Sequence, residues 1–424
     1  MARVLPHGPR LLAALVLWST TLLSAGNPAY ADVDVGASLR QSALVLHWPT
    51  EAPLPEGSFG LHETRVRPFL RWDPVDALTF SAAIESQASF TSLTLPPGFD
   101  DLDSPRTDAG GSQTSLLGQS SPLRRFDLTW QHQDAPGASL QTSIERLDVL
   151  IAVETVDIRI GRQPISLGTS RFVGVLDVLA PFAPGDLDAT YKPGVDAARL
   201  STGFGHMGEA ELILVAADPL EHGAIVGRVR ESIGGMDVEV LGGRFRQRNF
   251  GGLAWEGDAR IVGVWGELAL FQRGSEPHRA GWSEAAFSGV AGVERNLPGD
   301  VMAGLGLFYH DFGARSPDEL TMVAMEEPFL QGWTFLQSAG YAVVTAAHDV
   351  HPLVNISAAG LINLVDGSTL WQPRLLIRTG NNADLTAFGW IGLGPRPALE
   401  PVPRIRSEYG TVPTGGGLYA RWFF

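Results

Sequence analysis

The chain has 424 residues, 49 of them Gly, 29 Pro and none Cys, with 44% hydrophobic and 18% charged residues and a formal net charge of −15. A chain this apolar offsets its ordering entropy by burial, which excludes intrinsic disorder, and the lack of Cys excludes a disulfide scaffold and thiolate metal sites. The acidic balance also lacks the positive footprint that a nucleic-acid partner requires.

The first residues have the order of an export signal. Arg3 and Arg10 flank a short basic start, residues 11–23 are mostly apolar, and Ala29-Tyr30-Ala31 fits a small-x-small cleavage site with Asp32 as the first mature residue. The apolar run is shorter than the roughly 20 residues of a spanning helix. The expectation is a cleaved signal peptide over 1–31 and one exported domain over 32–424.

Read at period two, strand-type runs follow one another along that domain. In chain order they cover 35–48, 64–72, 78–90, 125–133, 139–150, 156–163, 194–202, 208–217, 223–231, 236–247, 259–272, 281–295, 300–312, 340–348, 352–364, 369–379, 384–393, 402–409 and 415–424. Many are around ten residues long, the length of a tilted strand crossing a bilayer. Bacterial single-chain barrels have even strand counts, so one of these nineteen runs is surplus, with the weak runs 35–48 and 402–409 the candidates.

The faces of these runs separate a barrel in lipid from a soluble β-protein, because lipid demands an apolar outer face and tolerates a polar lumen. Val238, Val240 and Gly242 alternate with Asp237, Glu239 and Leu241, while Glu209 and Glu211 oppose Ala210, Leu212 and Leu214. At the end of the chain Leu418, Ala420, Trp422 and Phe424 share one face and Arg421 takes the other. This last run resembles the terminal strand of bacterial outer-membrane barrels, which their insertion machinery recognises. The expected fold is all-β: a single transmembrane antiparallel β-barrel of about 18 strands (16–20), with long extracellular loops and a short loop helix.

A block near the middle carries a family resemblance. Arg159-Ile160-Gly161-Arg162-Gln163 is followed by Gly168, by Asp177-Val178-Leu179-Ala180-Pro181-Phe182-Ala183-Pro184, and by Tyr191-Lys192-Pro193-Gly194-Val195-Asp196-Ala197. Over about residues 156–200 this resembles the alginate-export-type porins and related substrate-specific outer-membrane porins of Gram-negative bacteria. There a strand ending in Gly-Arg-Gln leads into a long Pro-rich loop, and Pro-Gly-x-Asp opens the next strand. Leu167 departs from the Trp often found before the Gly. The resemblance implies a channel with a loop at its pore, and makes Arg162, Gln163, Asp177, Lys192 and Asp196 candidates for a constriction. Taken on its residues alone, the loop 164–193, with Pro164, Pro181, Pro184 and Pro193, either narrows the pore or shields the rim.

Residues at i and i+2 of a strand share a side, so Arg65 with Arg67, Arg228 with Arg230, Arg244 with Arg246 and Arg248, Arg374 with Arg378, and Arg404 with Arg406 form same-face sets. Lipid-facing Arg at the midplane costs roughly 2–4 kcal/mol, which sends these faces to the lumen or the rim. With Arg159, all of these sets except Arg404 with Arg406 supply the pore-lining candidates. A ring of guanidinium groups favours anions, while pairing with acids such as Glu209, Glu211 and Glu239 only stiffens the wall.

Catalytic signals are weak: there is no Gly-x-Ser-x-Gly elbow, His-Glu-x-x-His or Gly-Lys-Ser/Thr loop. His310-Asp311 and His348-Asp349 are adjacent in strand-type runs and so face opposite sides, and His348 with His351 sits at a turn. Asp101/Asp103 and Asp186/Asp188 are Asp-x-Asp pairs in loops. Nothing calls for a metal or cofactor. Ser316-Pro317-Asp318-Glu319 is a capping box that starts a two-turn helix through Met325 inside 313–339. The sequence therefore points to an outer-membrane porin for diffusion of small hydrophilic, anionic solutes, and away from an enzyme. A plugged or structural barrel and a barrel hydrolase are the alternatives. The expected partners are outer-membrane lipid and lipopolysaccharide, the barrel-assembly machinery through the strand ending at Phe424, and small solutes.

Overall fold

A computed structural model of the chain describes residues 32–48, 57–92, 122–135, 137–171, 173–182, 190–273, 284–332, 334–398 and 404–424. The expected signal peptide and the Asp-x-Asp pairs lie outside these residues. In chain order the strands are β1 (Asp32–Trp48), β2 (Gly57–Val75), β3 (Leu78–Thr91), β4 (Thr129–Ala135), β5 (Ala138–Val153), β6 (Val156–Gln163), β7 (Val195–Phe204), β8 (Gly208–Ala216) and β9 (Ala224–Ile233). They continue as β10 (Met236–Phe245), β11 (Arg248–Ala259), β12 (Val262–Gln272), β13 (Ala285–Leu297), β14 (Val301–His310), β15 (Gly340–His351), β16 (Val354–Asn363), β17 (Thr369–Arg378), β18 (Ala383–Leu393) and β19 (Thr414–Phe423). Two single-turn helices, α1 (Leu320–Val323) and α2 (Glu327–Leu330), lie between β14 and β15.

Each strand pairs antiparallel with the next, and β19 closes on β1 from Ser38–Phe423 to His47–Thr414. The exception is β4. On one edge of β5 stands β3; the other is shared by β6, opposite Leu147–Val153, and β4, opposite Ala138–Ser143. β4 is thus a short flap above β6 and no part of the ring, which leaves 18 strands in a closed transmembrane barrel. One rim has tight turns, such as 154–155, 234–235 and 260–261; the other carries the long connections, including 164–194, 311–339 and 394–413. At 234–235 both residues have positive φ, which Gly234-Gly235 supplies without strain.

The period-two alternation decides what each face meets. Leu212, Leu214, Ile225, Val229, Val240, Leu268, Leu270, Leu305, Leu307 and Leu418 point outward and are exposed, an apolar band suited to lipid. Aromatic residues flank it: Trp72 stacks on Phe80 at 5.3 Å near the short-turn rim, and Tyr309 and Trp371 stand near the other. Inward faces carry small, polar and charged residues near mid-barrel and apolar ones toward the long-loop rim, where Phe245, Phe250, Phe271, Phe308 and Phe312 form one core with the incoming loops.

The strand count agrees with the sequence reading through compensating differences. β11 was not foreseen, because Arg246 and Gln247 make a turn at φ +46° and +65°, a region L-residues seldom enter, so 236–247 reads as one strand. The described part of the run 402–409, residues 404–409, forms no strand: Arg404 makes an isolated bridge with Ala398 and an ion pair with Asp318, and Tyr409 is buried in the core. The run 125–133 became the β4 flap. The capping box gives a 3-10 turn at Pro317–Glu319 before α1, but Ser316 makes no side-chain cap, and Glu319 accepts the Arg315 N–H at 3.0 Å.

The two long connections at 311–339 and 394–413 are joined by a buried polar knot. Glu408 accepts from Tyr341 Oη, from the Gln337 N–H at 3.0 Å and from Asn363 Nδ2 at 2.9 Å, and Asn363 also donates to Ser338 Oγ. Burial pushes the Glu408 carboxyl up to about 7, with Asp366 acting the same way and the hydrogen bonds opposing. The folded knot therefore holds a proton that the opened loop releases, so attachment is firmest in acid and weakens as pH rises from 4.5 through about 7. Hydrogen-exchange protection of the Gln337 amide, corrected for intrinsic rate, should fall across that window in the wild type and stay level in Glu408→Gln. A wild-type profile as flat as the variant's would contradict this account.

Candidate functional site: a loop strung across the barrel

The connection between β6 and β7 turns into the barrel instead of standing on its rim. Glu267, in the middle of inward-facing Trp265, Ala269 and Phe271 on β12, is fully buried. Its carboxylate accepts backbone N–H groups from Thr169 at 2.7 Å, Ser170 at 2.6 Å, Val175 at 2.7 Å and Leu176 at 3.2 Å. Glu239 on β10 accepts from the Gly168 N–H at 2.9 Å, and Arg228 on β9 donates to the Ser166 carbonyl at 2.9 Å. Gly168 has φ +82°, and a Cβ there would meet Glu267 Oε1 at 2.3 Å. Arg171 extends the anchorage to Glu294 at 3.3 Å and Glu256 at 3.7 Å.

The returning arm is held elsewhere. Tyr191 lies under the Arg67 guanidinium, 4.3 Å from ring centroid to Cζ, and Thr190 accepts from Arg421 of β19. An ion pair between Asp177 and Lys192 ties the two arms to each other. Around the ring, β12 and β2 stand nine strands apart in either direction. A loop anchored on both crosses the lumen.

Beside the Tyr191 end the wall is rich in arginine. Arg40 and Arg65 are directly opposite in register, as are Arg159 and Arg199, pairings that repel unless acids intervene. Glu63 sits 2.6 Å from both Arg40 and Arg65; Arg159 reaches Asp148 at 3.5 Å, and Arg199 reaches Glu211. Arg228 bridges Glu211 and Glu239, and Arg230 joins Glu239 at 2.8 Å. Arg67 has Glu85 at 3.7 Å, whereas Arg146, inward opposite Ala83, has no carboxylate within ion-pair distance among the described residues. The far wall is mostly small and polar: Thr345, Ser357, Gln372, Thr386 and Tyr419 line a cavity of about 310 Å³ with Arg374, which donates to Tyr419 Oη at 2.8 Å.

Of the arginines singled out from the sequence, Arg65, Arg67, Arg159, Arg228, Arg230 and Arg374 point inward. The set of Arg244, Arg246 and Arg248 does not share a face, because the 246–247 turn divides it. Arg244 is on the outer face with Val238 and Val240, Arg246 is in the turn beside His222, and Arg248 is inward but bound by Glu327 of α2. Arg378 sits at the short-turn rim on the Pro352 carbonyl. Arg162 and Asp196 do not line a constriction: they are opposite Leu147, on the outer side, where they pair at 2.7 Å and 3.0 Å. Gln163 is buried and donates to the Ala197 carbonyl at 3.1 Å.

His310 donates from Nε2 to the Ser338 carbonyl at 2.9 Å while Asp311 accepts the Phe287 N–H, and His348 and His351 bond to backbone groups of Asp300 and Leu353. Sequence reasoning missed Arg40, Arg146, Arg199, Tyr191 and Glu267. The first three need strand register to be found; Glu267, a lone acid between Gly266 and Leu268 on an apolar run, was a visible signal left unused.

No protein-family model and no curated protein matches the sequence. Solved structures do match in fold. OccAB4 of Acinetobacter baumannii has a TM-score of 0.53 at 10% identity, over 94% of this chain and 100% of that one. OccK5 (OpdH) of Pseudomonas aeruginosa has 0.52 at 8%, over 92% and 98%. A BenF-like porin from Pseudomonas fluorescens Pf-5 has 0.53 at 10%, over 93% and 98%. These likenesses carry the porin-type barrel of the resemblance seen in residues 156–200, and not its alginate-export name.

Removing the carboxylate in Glu267→Ala strands four loop N–H groups, each at a cost of about 1–3 kcal/mol if it stays dry. The amides of Thr169, Ser170, Val175 and Leu176 should lose exchange protection by at least an order of magnitude, with those of β12 little changed. Gly168→Val should do the same through steric conflict. Protection retained in both variants would contradict the anchorage.

Proposed function

We propose that the chain is an outer-membrane porin, a passive channel for small hydrophilic solutes that favours anions. The observation that carries this reading is the loop held across the lumen with its Tyr191 end among Arg67, Arg146 and Arg159. A loop fixed on opposite walls narrows the passage without needing to move. Guanidinium groups stay charged at any physiological pH and grip carboxylate or phosphate oxygens in pairs. Arg146 makes no ion pair among the described residues, and Asp148, whose charge it feels, is shared with Arg159, so a passing anion meets an excess of positive charge there.

The barrel of the BenF-like porin agrees with the channel reading at the level of fold. The export-type N-terminus and the terminal strand Thr414–Phe423, with Leu418, Ala420 and Trp422 facing outward, fit delivery to an outer membrane by barrel-assembly machinery. Deep burial of His310 against a backbone carbonyl favours a structural histidine over a catalytic one, which supports a channel over a hydrolase.

The refolded mature chain in planar bilayers should give stable single-channel steps and a reversal potential of the anion-selective sign in a KCl gradient. Arg67→Glu combined with Arg146→Glu should shift the permeability ratio several-fold toward cations. Cation preference in the wild type would overturn the anion assignment, and electrical silence of an inserted, heat-modifiable barrel would overturn the channel.

A further inference from the structure

The outer surface of the barrel has one feature that a membrane-facing wall does not require. Residues 122–128 and the β4 flap stand over the top of β6, held there by the Arg162–Asp196 pair. Asp196 accepts the N–H groups of Arg125 and Phe126 at 2.8 Å and 2.9 Å, and Arg162 donates to the carbonyls of Ile144 and Phe126. Beside this knot a recess of about 930 Å³ opens on the lipid-facing side. Its lining is apolar for the most part, including Phe126, Leu147, Ile160, Leu214 and Ile225, of which Leu147 is 51% and Ile225 54% exposed. The knot at its floor has its polar atoms satisfied and so offers nothing to a polar guest.

The mouth is different. Arg244 lines it from the outer face of β10, next to the long-loop rim, exposed and without a hydrogen bond or an ion pair among the described residues. An arginine on a lipid-facing side is costly near the midplane and nearly free at the interface, where headgroup phosphates lie. Water in an apolar recess at that depth lacks hydrogen-bond partners, so hydrocarbon fills it more favourably.

We propose that this recess is a lipid site: an acyl chain lies between the flap and the wall, and Arg244 holds a phosphate of the same molecule. The proposal rests on the outer-membrane reading, because in such barrels the long loops face outside. The lipid met at that rim is then the phosphorylated glycolipid of the outer leaflet, and the occupant is the lipid A portion of lipopolysaccharide. The unpaired Arg244 guanidinium at the mouth favours its phosphates over a zwitterionic headgroup. Glu221, which also lines the recess, works against the phosphate and sets the direction of a second variant.

The test uses the refolded mature chain in detergent, titrated with bis-phosphorylated lipid A, phosphatidylglycerol or phosphatidylethanolamine and read by native mass spectrometry. Lipid A should bind more tightly than either phospholipid. Arg244→Ala should weaken it about tenfold, the share of one charged hydrogen bond. Glu221→Gln should tighten it, and Ala198→Phe, which fills the recess, should weaken it with Arg244 intact. Equal binding by wild type and Arg244→Ala, or tighter binding of phosphatidylglycerol than of lipid A, would overturn the proposal. Heat-modifiable migration checks that each variant is folded, and single-channel conductance, unchanged in all three variants, separates failure of this site from failure of the channel reading.

Discussion

The interior is organised by one buried carboxylate. Glu267 has left water entirely, and the four backbone N–H groups that its carboxylate accepts offset the cost of burying it. The segment that supplies them has no regular structure, so its N–H groups equally need an acceptor inside the barrel. Each solves the other's desolvation problem, and the shared solution fixes where the loop lies. Gly168 is part of it, since any side chain there would occupy the space of the carboxylate.

With the first arm fixed on β12, Thr190 and Tyr191 at the start of the return to β7 meet the opposite wall, and that wall is built to receive them. Like charges stand directly across the ladder at Arg40/Arg65 and Arg159/Arg199, and Glu63, Asp148 and Glu211 hold them in place. Such a lattice is stiff where two arginines share one acid, as Arg40 and Arg65 share Glu63 and Arg199 and Arg228 share Glu211. It also keeps guanidinium groups at fixed positions facing a far wall of mostly small, polar residues around Arg374, which gives the passage one densely charged side and one sparsely charged side.

Much of the fold was legible because lipid imposes a simple rule on every strand: apolar outward, anything inward. The terminal run with Leu418, Ala420 and Trp422 opposed by Arg421 is the clearest case, and Arg421 does turn inward onto Asp384. The rule fails where the chain reverses without an obvious turn residue. Arg246-Gln247 adopts left-handed backbone with no Gly or Asn, and reading through it both hid β11 and joined three arginines that end on different surfaces. Residues 402–409 misled for another reason, since Ile405 and Tyr409 pack into loop cores and imitate strand alternation. The loop's path was not legible at all: Pro content announced order, but the direction of the loop depends on Glu267, ninety-odd residues away, and on which strands stand opposite each other.

The claim at the centre of this account is that the tethered loop, and not the barrel's bore, sets the size of the passage. Single-channel conductance of Glu267→Ala beside the wild type, in the same bilayer and salt, tests it most directly. The account predicts larger and noisier steps in the variant, with the barrel still folded and inserted. Steps of unchanged size and steadiness, from a variant whose loop amides have lost their protection, would contradict it.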